Sequence, residues 1–230
     1  MRTLKILSLL LSYPSALPDK VWHECRELLR QERWLSSKTL AHLEQFIQAR
    51  QTTDLLDQQE QYVYLFDRNA SLSLHLFEHI HGDSRERGQA LVDLLHLYQQ
   101  TGLTPNRDEL PDYLPLFLEY LSTQTAKHIK ENLASIVNIL AAIRQRLAQR
   151  ASNYATIFEA LLEISQQTPD ARIVQSAQQG AEDEDDLAAI DQAWEEPLAF
   201  ETPTLGSTRP CSMDSSQHQI VMDLSIRNRK

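Results

Sequence analysis

Apolar residues recur with helical spacing almost without a break from Leu4 to about Gln166, and this periodicity confines the chain to packed helices. Val21, Trp22, Cys25, Leu28 and Leu29 share one face behind Pro18 and Asp19, which suit a helix start. Leu40, Leu43, Phe46 and Ile47 mark a second face, and Leu55, Tyr62 and Phe66 a third. Ala90, Leu91, Leu94, Leu95 and Tyr98 form the clearest stripe, which Gly102 and Pro105 close. The positions Ile129, Leu133, Ile136, Leu140, Ile143 and Leu147 hold the period as if on one helix, and Tyr154 to Leu162 supply another. Only five glycines punctuate 230 residues, too few for a many-stranded fold. The expectation is an all-α, single-domain bundle of about eight to ten helices with an acidic, partly disordered C-terminal tail.

The character of the chain changes after Thr168. No Lys or Arg occurs from Ile173 to Thr208, whereas nine acids from Glu182 to Glu201 accumulate there. We divide the chain into a helical domain at 1–168, an acidic segment at 169–196 and a disordered tail at 197–230. Leu187, Ile190, Ala193 and Trp194 share a face, so a short helix there can dock back on the body. A net charge of −10 argues against nucleic acid, which requires clustered cations, and favours a basic or apolar protein partner. Two cysteines, Cys25 and Cys211, make no disulfide framework or CxxC pair, which fits a reducing compartment. Leu4 to Leu11 reads as a first core helix ended by Tyr13-Pro14 rather than as a signal peptide, and no apolar run is long enough for stable membrane insertion.

The densest chemistry lies between Leu74 and Gln89. His75-Leu76-Phe77-Glu78-His79 matches H-x-x-E-H, in which two histidines one helical turn apart hold zinc while the glutamate polarises water. A zinc-dependent hydrolase using His75, Glu78 and His79 is therefore one reading, and it lacks an evident third ligand. Asp83 and Glu86 have the spacing of a capping box, so a helix is expected from Ser84, just after Gly82. Arg85 and Arg87 then occupy its first turn, where the helix dipole disfavours cations. They either pair with Glu78 and the capping acids or stand ready for a partner's carboxylates, beside Phe77 and His79.

A second cluster runs from Glu109 through Pro111, Asp112 and Tyr113 to Leu121. Prolines at 111 and 115 oppose a continuous helix, so Pro111 is expected at or near a helix start. The segment reads either as a capped core helix or as a hinge lining a groove for an apolar peptide helix.

These blocks carry a resemblance. Tyr62-Val63-Tyr64-Leu65-Phe66 resembles the Y-x-x-L-F element of the nitrate reductase delta-subunit family, and Phe77 to Gln89 resembles its most specific stretch. Glu109-Leu110-Pro111-Asp112-Tyr113 is similar to the E-x-P-D-H hinge of the wider redox-enzyme maturation group, with Tyr113 where that motif has histidine. Ala193-Trp194-Glu195-Glu196 is a weaker match, and His75 stands where the family has an apolar residue. The resemblance extends from about Leu4 to Phe200.

It implies a non-catalytic cytoplasmic chaperone, without a cofactor of its own, for the catalytic (alpha) subunit of respiratory nitrate reductase. That chaperone would bind the immature subunit's N-terminal peptide, keep it open for molybdenum cofactor insertion, meet the cofactor delivery machinery and leave the finished enzyme. Tyr62, Phe66, Phe77, Glu78, His79, Arg85, Arg87, Glu109, Asp112 and Tyr113 are the candidate peptide-groove or hinge residues. A helical adaptor with no maturation role is a third reading.

Overall fold

A computed structural model describes residues 1–81, 85–104 and 109–176. They form α1 (Arg2–Leu11), α2 (Asp19–Glu32), α3 (Ser37–Thr52), α4 (Leu55–Tyr62), α5 (Glu78–His81), α6 (Arg85–Gln100), α7 (Leu114–Ser122), α8 (Ala126–Ser135), α9 (Val137–Gln149) and α10 (Ala155–Ser165), and 171–176 are helical as well. The all-α expectation holds. The one β feature among the described residues is an isolated antiparallel bridge between His75 and Tyr113.

The bundle is built around α10. Ile157, Phe158, Ala160, Leu161 and Ile164 are all inaccessible, as suits a helix that is apolar nearly all round. It packs against α3, α8, α9 and α1. Its two glutamates face α3: Glu159 pairs with His42 at 3.4 Å, and Glu163 accepts from the backbone N–H of Ser36. Ser36 is the N-cap of α3, so a carboxylate sits where the helix dipole favours it.

The amphipathic stripes fold as their spacing predicts. Trp22, Cys25 and Leu29 of α2, and Leu43, Phe46 and Ile47 of α3, are buried. α1 lies against α7 in the opposite direction, because the Met1 amine donates to Ser122 O while Ser8 Oγ donates to Pro115 O at 2.7 Å. Gly102 ends α6 with φ +78°; Gly102 N–H bonds Gln99 O and Leu103 N–H bonds Tyr98 O, the paired closure that glycine permits.

Three local expectations require correction. The stripe from Ile129 to Leu147 is not one helix: the chain bends at Ile136 (φ −110°, ψ 11°), between α8 and α9. Ser135 Oγ bonds Asn132 O and Asn132 Nδ2 bonds His128 O, and such side-chain competition for carbonyls bends helices. The third stripe does not continue α4 either; a π-helical turn, Val63–Asp67, follows Tyr62 and turns Leu65 and Phe66 inward while Tyr64 stays exposed. Pro111 does not open a helix. It occupies the second position of a turn closed by Tyr113 N–H to Leu110 O at 3.1 Å, and Pro115 is the proline in the first turn of α7.

Two features touch the tail boundary. Asp170 N–H donates to Asn138 Oδ1 at 2.8 Å, and Val174 is buried, so the chain stays on the body through residue 174. The expected capping box at Asp83, the helix at 187–194 and the tail at 197–230 lie outside the described residues.

Several helices end in the left-handed region without glycine. Exposed Ala151, with φ +50° just past α9, is one such position. A Cβ there costs about 1 kcal/mol, so Ala151→Gly is expected to raise stability by about that amount in urea unfolding.

Candidate functional site: a buried hinge between two loops

The two chemically dense segments meet. Leu76 N–H donates to Asp112 O at 3.0 Å and Leu114 N–H donates to Leu74 O at 2.8 Å, which builds the bridge centred on His75 and Tyr113. Thirty-seven residues of sequence separate His75 from Asp112, yet their backbones run as neighbours.

Asp112 locks this junction. It is fully buried; its Oδ2 accepts from Phe77 N–H at 3.1 Å, and its Oδ1 accepts from His75 Nδ1 at 3.3 Å. A carboxylate held by a backbone donor and an imidazole has its charge met where water does not reach. The hydrogen bond from His75 to Asp112 holds that imidazole's pKa above its ordinary value, against the opposing effect of burial.

His79 is held differently. Its Nε2 donates to Ser73 O at 2.8 Å, so the proton of the neutral ring is fixed on Nε2. Burial pushes its pKa down, and the nearby Arg146 guanidinium adds to that effect. His75 lies in the extended bridge while His79 lies in α5, so H-x-x-E-H is not carried on one helix face. Glu78 is exposed and bonded to Arg87 Nη2 at 3.2 Å. No group of three His, Cys, Asp or Glu that could hold a metal occurs among the described residues. The zinc-hydrolase reading fails on this geometry.

An aromatic chain links the junction to α1. Tyr62 OH donates to Leu11 O at 3.0 Å, which leaves Tyr113 OH as donor in the 2.8 Å contact between the two phenols. Burial raises the pKa of both. Tyr62 packs against Phe66 and Tyr154, with Tyr13 edge-on at 5.5 Å. The π turn therefore orients Phe66 into a cluster rather than toward solvent.

The candidate residues thus divide. Tyr62, Phe66, Phe77 and Asp112 are interior, while Tyr113 and His79 are only partly covered. Glu78 and Glu109 are exposed, and Arg87 is partly so. The Arg85 side chain lies outside the described residues. Beside the junction, Tyr13 and Leu110 are exposed large apolar groups, and Tyr64 is exposed on the π turn. Asp67 and Glu109 stand close enough to Tyr113 to raise its pKa further.

Sequence reasoning missed several supports. Arg146 of α9 is buried and donates to Ser71 O, fixing the loop before the bridge. It lies three residues after Ile143 on the buried stripe, and a cation at such a position calls for a buried acceptor. Tyr98 OH donates to Pro111 O at 2.7 Å, tying α6 to the turn. Ser73 accepts from His79 through its carbonyl and from His75 N–H through its hydroxyl. That closure was not readable from spacing alone.

The two histidines titrate in opposite senses. His75, whose folded pKa is raised, contributes stability present below its ordinary value of about 6.5 and lost as pH rises through the folded value. His79, whose folded pKa is lowered, contributes stability present above about 6.5 and lost as pH falls through the folded value. Urea unfolding from pH 5 to pH 8 should show His75→Gln flattening the alkaline side and His79→Gln flattening the acid side.

These residues define an all-α scaffold with a buried polar junction at Asp112 and exposed apolar and acidic groups beside it. The sequence profile described as Nitrate reductase delta subunit matches residues 35–160. The chain is 43% identical over 194 residues to the nitrate reductase molybdenum cofactor assembly chaperone NarJ of Escherichia coli (strain K12), covering 84% of this chain and 82% of that relative. It is 39% identical over 200 residues to the probable assembly chaperone NarW of the same organism, covering 85% and 82%. Identity to the probable chaperone NarJ of Bacillus subtilis (strain 168) is 34% over 169 residues, covering 70% and 86%. The chain belongs to the nitrate reductase delta subunit family.

Proposed function

We propose that this protein is a system-specific assembly chaperone, not an enzyme, that binds the immature catalytic subunit of respiratory nitrate reductase and enables insertion of its molybdenum cofactor. The names of its relatives, at 34–43% identity over most of both chains, carry this reading. The contact is with the subunit's N-terminal peptide, the cofactor delivery machinery meets the same complex, and the chaperone acts in the cytoplasm and then departs. No helix among the described residues is long and apolar enough to cross a membrane, which suits that role.

The hinge supports a peptide mode of binding. Tyr13, Tyr64 and Leu110 offer apolar contacts, and Asp67, Glu78 and Glu109 offer charge to a basic, partly apolar helix. Arg87 exchanges Glu78 for a carboxylate or carbonyl of the client at little expense, because a partly exposed ion pair contributes about 0–1 kcal/mol. Tyr62, Phe66, Phe77, His79, Asp112 and Tyr113 set the position of these groups, and Arg85 joins the rim. The helical domain to residue 168 suffices for the contact.

Deletion tests the role. Loss of this protein should leave the reductase subunits present but without molybdenum cofactor. Fully loaded reductase in its absence would contradict a maturation role and favour a plain adaptor.

A further inference from the structure

A groove of about 410 Å³ opens away from the hinge, between α1, α2 and the end of α7. Its apolar lining comes from Ile6, Leu9 and Leu28, and Arg2 and Lys5 are exposed at its edge. Neither side chain is in an ion pair among the described residues, although Glu32 lies beside them, accepting from the backbone N–H of Arg2 and Thr3. Arg2, Lys5 and Leu9 fall on one face of α1, at spacings of three and four. A basic apolar groove is a poor match for the cationic peptide that the hinge rim suits. It calls for an acidic apolar occupant.

This chain contains one. We infer that the segment 182–196 docks in the α1 groove of its own chain, with Leu187, Ile190 and Trp194 on Ile6, Leu9 and Leu28 and its carboxylates on Arg2 and Lys5. The segment carries no Lys or Arg and holds Glu182, Asp183, Glu184, Asp185, Asp186, Asp191, Glu195 and Glu196. Its apolar residues span seven positions from Leu187 to Trp194, the same interval as Arg2 to Leu9 on α1. Asp183 and Asp191 bracket Leu187 and Ile190 in the sequence, and we assign them to the two cations.

The chain leaves the body within reach. Gln166 accepts from Lys130 at 2.7 Å, Lys130 stands over the Trp34 ring, and Trp34 is two residues past Glu32, which holds the start of α1. The last buried residue among the described ones, Val174, follows the Asp170 contact with Asn138, near the far end of α8. α8, of ten residues and about 15 Å, lies between that point and the end of α7. Residues 171–176 are helical, and the seven residues from Ser176 to Asp183 extend up to about 23 Å, more than the length of α8. Docking within one molecule needs little intrinsic affinity, since a short tether supplies a high effective concentration.

Hydrogen exchange read by mass spectrometry on the full chain tests this. In the native protein, amides of 187–196 should exchange about tenfold slower than an unprotected chain at low salt. The protection should fall to within about twofold of the unprotected rate in R2E/K5E, and return when D183K/D191K is added to it. Protection that survives R2E/K5E unchanged, or that is absent from the native protein, overturns the proposal. Protection that grows with protein concentration overturns it in favour of contact between two copies. Should R2E/K5E lose the native circular dichroism, the native protein in 1 M salt replaces it: loss of protection there supports the charge pairing, and full retention overturns it.

Discussion

Asp112→Ala is expected to destabilise the protein by about 3 kcal/mol in urea unfolding, since hydrogen bonds to a charged group contribute about 1.5–3 kcal/mol each and do not add fully. The substitution removes the acceptor of Phe77 N–H and the partner of His75 at a fully buried position. It also removes the side chain that joins the turn at Pro111 to the loop before α5. Asp112→Asn keeps an acceptor oxygen for Phe77 N–H and should lose about 1 kcal/mol. The raised pKa of His75 depends first on Asp112, so Asp112→Asn should also flatten the alkaline side of the stability profile. An Asp112→Ala protein as stable as the native one would mean that the junction does not hold the two segments.

The second large effect is expected at Phe77, whose replacement by Ala should cost about 3–5 kcal/mol, the usual range for a buried ring. Phe77 is 2% exposed and belongs to the main core. Binding losses in Phe77→Ala must therefore be accompanied by a lowered unfolding midpoint. A Phe77→Ala protein that unfolds normally and yet loses its client would instead make Phe77 a contact residue that is uncovered on binding.

These two residues show what the sequence could and could not convey. The amphipathic stripes reported burial faithfully, because a helix of period 3.6 exposes one face whatever it packs against. Trp22, Leu43, Leu94, Tyr98 and Phe158 all turn inward as their spacing requires. Helix boundaries were less legible where side chains compete with the backbone, as at Ser135 and Asn132, or where Ala151 and Gln166 take the left-handed conformation usually given to glycine.

The site was half legible. Its polar residues were evident because so many stood among apolar ones, and the family resemblance singled out the same blocks. What spacing could not convey was the pairing across the fold. H-x-x-E-H suggested one helix, but Asp112 draws His75 into a bridge while Ser73 holds His79. A one-dimensional motif does not contain the residue that competes for its histidine. Arg87 had two readings, and it pairs with Glu78; a partly exposed pair of about 0–1 kcal/mol is compatible with the proposed exchange for a client group.

The central claim is that the hinge rim receives the N-terminal peptide of a nitrate reductase catalytic subunit. Calorimetric titration of that peptide into the full chain measures it directly, alongside Arg87→Ala, whose unfolding midpoint should be nearly native. Saturable one-to-one binding with a Kd below about 10 μM, weakened several-fold by Arg87→Ala, is the predicted result. No heat of binding at tens of micromolar peptide would contradict it.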